Sequence, residues 1–377
     1  MDIVDSGNLK KDVVKLALDM VGIGSDTHAE GEKGVAEYIH EYLQGIGIGS
    51  ELIEFKPGRF NVSARIGSGE GLMLNGHMDT VPIGDSKLWK YSPYGHIANG
   101  RLYGRGASDM KGGLAAILAS LNNVDLRHPE RSLLLTFVAD EEVGSDGSMW
   151  LLDNRKELFE GVRYGIISEA TDLDIQVSQK GILSFYLNIR GKGAHASAPW
   201  LGKNAILDAV KAIKALEIIE SKKRISDPLL GRCTINIGRI TGGTATNVVP
   251  DSCRVGVDVR LPPGENNGEF VGAVRKALGK LGIDHSIEIT VDRDPYRVNG
   301  RSPLIGFMKS VAKSNLIGGR GYTESKLYNE RINMDCVVVG PGVKDAIHKP
   351  DEFVPLSNLA RSERIFSNVM DRWCNNS

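Results

Sequence analysis

Two helical patterns, at residues 9–20 and 34–43, open a stretch in which β-type and helical apolar runs alternate up to about residue 179, and the alternation resumes after Asp294-Pro295-Tyr296. That pattern narrows the fold, because parallel strands need a crossover between them and the crossover is usually a helix. Residues 114–119 read as a helix buried on most faces and 149–159 as another. Between the two stretches the order changes. Strand patterns at 182–189, 233–240, 254–261 and 286–291 are interleaved with helical ones at 205–220 and 269–281, which is βαββαβ, the order of a ferredoxin-like unit. This unit is complete in itself. The expected fold is α/β: a mostly parallel sheet flanked by helices, formed by residues 1–179 and 293–377, with the βαββαβ unit, 180–292, inserted. At 377 residues two domains are the natural number.

Acids and imidazoles follow the strand-like runs. Leu72-Met73-Leu74 leads into His77 and Asp79, and the run from Leu133 to Val138 leads into Asp140, Glu141 and Glu142. Ile166-Ile167 leads into Glu169, and Val337-Val338-Val339 leads through Gly340-Pro341-Gly342 towards His348. Asp109 stands in a glycine-rich turn, Gly104 to Gly113, where it would either cap the next helix or bind a ligand. In open α/β sheets ligands collect beyond the carboxyl ends of the strands, so these groups would converge on divalent metal. A metal-bound histidine commonly hands its other N–H to a carboxylate, a role open to Asp79 for His77. The Asp140-Glu141-Glu142 run calls for a counter-charge after so apolar a strand, and a metal ion would supply it. One carboxylate would bind it while a neighbour takes a proton from water. Which does which is not set by the spacing.

Composition excludes other classes. The net charge of −1 offers no field for nucleic acid or anionic lipid. No run approaches the roughly 20 apolar residues of a membrane span, and the acidic start Met1 to Ser6 does not resemble a signal peptide. The dispersed Cys233, Cys253, Cys336 and Cys374 suit a reducing cytoplasm. The glycine-rich turn lacks the lysine spacing of a nucleotide loop.

In combination these motifs resemble the M20-type metallohydrolases, the group of acetylornithine deacetylase, succinyl-diaminopimelate desuccinylase, aminoacylase and the glutamate-releasing carboxypeptidases. They are Gly76-His77-Met78-Asp79, Gly104 to Gly112, Asp140-Glu141-Glu142, Ser168-Glu169-Ala170-Thr171, and Gly340-Pro341-Gly342 with Ala346-Ile347-His348-Lys349-Pro350. The resemblance runs nearly end to end. It implies that Asp109 bridges two divalent ions, usually zinc, with cobalt or manganese as substitutes. His77 and Glu169 would complete one site, Glu142 and His348 the other. Glu141 would be the general base, Asp79 would orient His77, and the Asp109–Met110 peptide would be cis. The inserted unit would be a dimerisation or lid domain, making a homodimer in which His195, in Gly193-Ala194-His195-Ala196-Ser197, reaches the partner's active site and holds the oxyanion. Asn247 and Arg260 would recognise a substrate carboxylate.

Subgroup signals divide. The segments Asp140 to Gly144 and Tyr322-Thr323-Glu324-Ser325 look deacetylase-like, whereas Thr246-Asn247-Val248-Val249-Pro250 looks desuccinylase-like, and Ala170 stands where many deacetylase-like members have proline. The expected activity is hydrolysis of a small N-acyl amino acid. A dipeptidase or carboxypeptidase of the same family is the nearer alternative, a non-catalytic binding protein the distant one.

Overall fold

The computed structural model describes residues 12–29, 31–319 and 321–375. The chain forms two compact units: one holds the chain up to Val177 with Val298–Ile317 and the chain from Glu324, the other Ser178–Arg297 with Gly318–Thr323. The divisions fall at 177/178 and 297/298, where the sequence pattern placed them at 179/180 and 292/293.

The first unit is built on a sheet in the order Glu51–Lys56, Arg59–Ile66, Ser132–Val138, Gly71–His77, Val162–Ile167, Asp335–Val338 and Ile175–Gln179. Its centre is parallel: Gly71–His77 pairs in parallel with both Ser132–Val138 and Val162–Ile167, and the last of these with Asp335–Val338. Every residue of Gly71–His77 and Ser132–Val138 is buried, as continuous apolar runs must be when helices cover both faces. Helix Gly112–Ser120 is likewise buried throughout, which matches its lack of a polar side. Leu356–Asn375 packs on it, burying Leu359, Phe366, Val369, Met370 and Trp373 at helical spacing.

Two helices differ from expectation. The first begins at Val13, where the Asp12 carboxylate accepts from the Lys15 N–H at 2.7 Å; residues 9–11 lie outside the described residues. The helix expected over 149–159 is two pieces, Asp146–Asn154 and the 3-10 turn Lys156–Phe159, because Arg155 leaves helical geometry (φ −131°, ψ 46°).

The second unit is a four-stranded antiparallel sheet, ordered Thr234–Gly242, Ser252–Leu261, Gly181–Arg190, His285–Arg293. Helices Ala205–Lys222 and Asn267–Lys280 complete the βαββαβ order. Only one face is buried, so Gly181–Arg190 alternates strictly: Leu183, Phe185, Leu187 and Ile189 meet Val255, Val257, Phe270 and Val274 in the core. A small hairpin, Ser226–Asp227 with Gly231–Arg232, carried no sequence signal.

Candidate metal centre

The four parallel strands end side by side, and each delivers a group beyond its carboxyl end. His77 closes Gly71–His77, Glu141 and Glu142 follow Ser132–Val138, Glu169 follows Val162–Ile167, and His348 follows Asp335–Val338. Asp109 comes from the turn ahead of Gly112–Ser120, with a cis Asp109–Met110 peptide. It does not cap that helix. Its Oδ1 lies 3.0 Å from His77 Nε2 and its Oδ2 3.2 Å from His348 Nε2. Glu142 meets His348 Nε2 at 3.1 Å, and Glu169 stands 3.7 Å from His77 Nε2. Two sets have donor atoms within 4.8 Å of one another: His77, Asp109 and Glu142, and His77, Glu141 and Glu169.

Close approach of the loops depends on glycine. A Cβ on Gly340 would lie 2.3 Å from the Glu169 carbonyl oxygen, and one on Gly342 2.2 Å from that of Ser108. The Gly340-Pro341-Gly342 segment therefore packs directly on the backbones that carry Glu169 and Asp109.

Asp79 adjoins His77 through both its backbone and its side chain. His77 Nδ1 lies 3.0 Å from the backbone carbonyl of Asp79 and 3.6 Å from its carboxylate, so the carbonyl is the nearer acceptor. The buried Asp79 carboxylate also accepts from the N–H groups of Glu141 and Glu142, both at 3.2 Å, and from the Thr27 hydroxyl at 3.0 Å. One residue thereby holds the imidazole through its backbone and the acidic loop through its side chain. With Nδ1–H on that carbonyl, Nε2 turns a lone pair towards the Asp109 and Glu169 oxygens. Only a proton or a cation between them relieves the repulsion.

Asp140 is a correction. It does not face the cluster; it takes positive φ (69°) and pairs with Arg59 at 2.9 Å, so its counter-charge is a guanidinium and not a metal.

The remaining acids crowd each other. Burial, reinforced by the Asp109 charge, pushes Glu169 up to about 8, and burial with the neighbouring Glu169 carries Glu141 well above its usual range. Hydrogen bonds to Asp109 and Glu142 raise His348 to about 10. Burial opposes charge on His77, but its bonds to Asp109 and Asp79 outweigh that and raise it. Burial likewise works against ionised Asp109, and the two histidines overcome it and hold Asp109 low. The folded site thus takes up protons that an unfolded chain would not. For Glu169 the linked stability is present below about 4.5 and is lost as pH rises through 8; for His348 it is present below about 6.5 and lost through 10. Chelated protein is expected to melt at falling temperature as pH is raised from 5 to 9, and saturating metal, which replaces those protons, should flatten the curve. Thermal scans with and without chelator check this.

Residues 73–372 match the description of peptidase family M20/M25/M40. The chain belongs to this family. The acetylornithine deacetylase of Vibrio atlanticus (strain LGP32) is 30% identical over 370 residues, covering 95% of this chain and 96% of that protein. The acetylornithine deacetylase of Aliivibrio fischeri (strain ATCC 700601 / ES114) is 30% identical over 364 residues, covering 93% and 95%. Aminopeptidase PepT from Bacillus cereus ATCC 10987 shares the fold with a TM-score of 0.78 at 22% identity, over 98% of this chain and 100% of that one. An M20 family metallo-carboxypeptidase, Sso-CP2 from Sulfolobus solfataricus, does so with a TM-score of 0.78 at 21% identity, over 96% and 99%. This M20 chain is a hydrolase with a cluster of groups that could hold a metal ion at the ends of its parallel strands. Among the described residues no helix is long and apolar enough to cross a membrane.

The other expected site residues of the M20 chain lie in the second unit. His195 is exposed, its Nδ1 2.7 Å from the Ser197 hydroxyl, and the Ala196 N–H donates to the Asn247 carbonyl at 3.0 Å, so His195 and Asn247 occupy adjoining loops. Arg260 is not with them. It sits towards the far end of Ser252–Leu261, and its Nε donates to Asp258 at 2.7 Å.

Sequence reasoning missed Glu352. This buried carboxylate accepts the Ser108 and Asp109 N–H groups on Oε1, at 2.9 and 3.0 Å, and Arg105 on Oε2 at 2.6 Å. It clamps the turn that aims Asp109. Its only sequence signal is an acid just before the apolar Phe353-Val354, four residues after His348. Glu352→Gln keeps the shape but sets an amide donor beside an N–H or the guanidinium. The expected outcome is about 10- to 100-fold weaker metal retention in a chelator titration, the range for residues that orient ligands.

Proposed function

We propose that this M20 hydrolase is a dinuclear metal-dependent amidohydrolase acting on small N-acyl amino acids. The observation that carries the reading is the placement of Asp109, whose two oxygens face two different histidines, the arrangement of a carboxylate shared between two cations. His77 and Glu169 would complete one site, Glu142 and His348 the other. The mixed imidazole and carboxylate set suits zinc, with cobalt or manganese as substitutes. When bound, the ions supply polarisation of the scissile carbonyl and acidify water.

The chain's own residues do the rest. Glu141, beside His77 and Glu169, takes the proton of the attacking water and returns it to the leaving amine. Asp79 fixes Glu141 from behind through its N–H. Asn247 and Arg260 stand apart in the second unit, so a substrate carboxylate would be received by one of them and not by both. His195 would donate to the oxyanion in a partner subunit's site.

The second unit supports a homodimer. Leu207, Val210 and Ile218 are exposed on helix Ala205–Lys222, and Thr234–Gly242 is an open sheet edge. Sedimentation should show a dimer, and His195→Ala should lower kcat by about 10²- to 10³-fold with KM little changed. A fully active monomer would remove this role.

Deacetylase relatives across nearly the whole chain favour an N-acyl amino acid such as acetylornithine. A second reading, cleavage of dipeptides or of a C-terminal residue, draws on the peptidase folds. The test is kcat/KM on N-acetyl-L-ornithine, N-succinyl-L,L-diaminopimelate and a dipeptide panel, with metal-loaded protein and a chelator control. Chelator-sensitive preference for an acylated amino acid supports the first reading. Preference for dipeptides overturns it in favour of the second, and turnover that survives full metal removal overturns both.

A further inference from the structure

Arg59 opens the strand Arg59–Ile66, which runs antiparallel to Ser132–Val138 with Val62 opposite Phe137. Carried beyond the last pair, that register sets Arg59 across from Asp140, where the ladder has ended and the acidic loop begins. Side chains make the contact there. Arg59 Nη2 donates to the Asp140 carboxylate at 2.9 Å, and Nε donates to Glu32 at 2.8 Å. Glu32 is fully buried and also accepts the Phe60 N–H at 2.7 Å, so the guanidinium is fixed from behind before it meets Asp140.

Two buried acids around one guanidinium are a costly way to tie a loop to a strand, since an apolar contact would hold it as well. What the planar guanidinium adds is direction. Asp140 takes φ 69°, a left-handed conformation uncommon outside glycine, and its carbonyl accepts the Gly144 and Ser145 N–H groups at 3.0 and 2.6 Å. The turn that carries Glu141 and Glu142 is thus closed on Asp140, and Asp140 is held on Arg59. The two glutamates depend on this to different degrees. The Glu142 carboxylate is itself placed, 3.1 Å from His348 Nε2. The Glu141 carboxylate has no hydrogen-bond partner among the described residues, so its aim rests on a backbone held by Asp79 and by Asp140. We propose that Arg59 is a positioning residue for Glu141, acting through Asp140 to hold the turn that keeps the Glu141 carboxylate beside His77 and Glu169. Its effect on turnover rests on the reading of Glu141 as general base; the clamp on the turn does not.

The experiment compares metal-loaded full-length parent, Arg59→Gln, Asp140→Gly and the double variant on the parent's best substrate. All three variants should lose about 10- to 100-fold in kcat, the range for groups that orient working residues, with KM and metal content near the parent's. Arg59→Gln leaves Glu32 and Asp140 buried without their counter-charge and should melt lower. Adding Asp140→Gly removes one of those acids and suits the positive φ, so the double variant should regain part of the melting temperature but none of the kcat. A glutamate-specific protease, used well below melting, should cut all three after Glu141 or Glu142 while the parent resists there. The proposal is overturned by unchanged kcat in Arg59→Gln, by kcat that recovers with stability in the double variant, or by turns that stay uncut. Loss of metal would also overturn it, since the pair would then serve Glu142 and not Glu141. Glu141→Gln, run beside them, separates the two readings: if it keeps full kcat the general-base reading falls, while cutting in the Arg59 variant still upholds the clamp.

Discussion

Glu141→Gln should leave metal content and melting temperature near those of the parent while kcat falls by about 10²- to 10⁴-fold, the usual contribution of a positioned general base. The substitution keeps the backbone N–H that donates to Asp79, so the acidic loop stays in place. It removes only the oxygen that takes the proton. Burial and the charge of Glu169 both raise the Glu141 carboxyl, which makes it a stronger base than an ordinary glutamate once ionised. Activity of the parent should therefore rise with pH along an acid limb that the glutamine variant lacks. Metal analysis beside a pH profile of kcat/KM checks both halves. A variant with normal metal and near-normal turnover would assign the proton transfer elsewhere, and loss of metal would make Glu141 a ligand instead.

The clustering of most candidate residues was legible because the rule behind it is topological. His77, Glu141, Glu142, Glu169 and His348 each follow an apolar run, and parallel strands bring such ends together whatever the loops do. What was not legible depends on side-chain direction. Asp140 follows the same strand as Glu141, yet positive φ turns it to Arg59, a partner 81 residues earlier in the chain. The spacing of Asp79 from His77 suggested a carboxylate–imidazole pair, whereas the backbone carbonyl is the nearer acceptor and the carboxylate serves the loop 62 residues on. Glu352 lay hidden for the same reason, since its partners Ser108 and Asp109 are more than 240 residues away. In the second unit, strict alternation exposed the strands and their order, but the commitment of Arg260 to Asp258 needed neighbours on one strand face to be seen together.

Asp109→Asn should remove the proposed ability to hold two ions. Each Asp109 oxygen faces one histidine, and an amide can offer only one of them an unshared oxygen while turning an N–H to the other. Metal content is expected to fall to one ion per chain or fewer, and kcat/KM by about 10³-fold or more, because losing several kcal/mol of charge stabilisation at about 1.4 kcal/mol per tenfold exceeds that factor. The response to zinc separates this from misfolding. The Asp109 charge is among the causes that raise Glu142, Glu169 and Glu352, but its bonds to His77 and His348 outweigh burial and hold Asp109 low, so its charge is net stabilising in the metal-free site. Chelated Asp109→Asn should then melt somewhat lower than the chelated parent, while added zinc raises the parent's melting temperature and leaves the variant's nearly unchanged. A variant that zinc stabilises as much as the parent would show that Asp109 is not needed to hold metal. One that retains both ions would end the shared-carboxylate reading, and the two ions would then be held without Asp109.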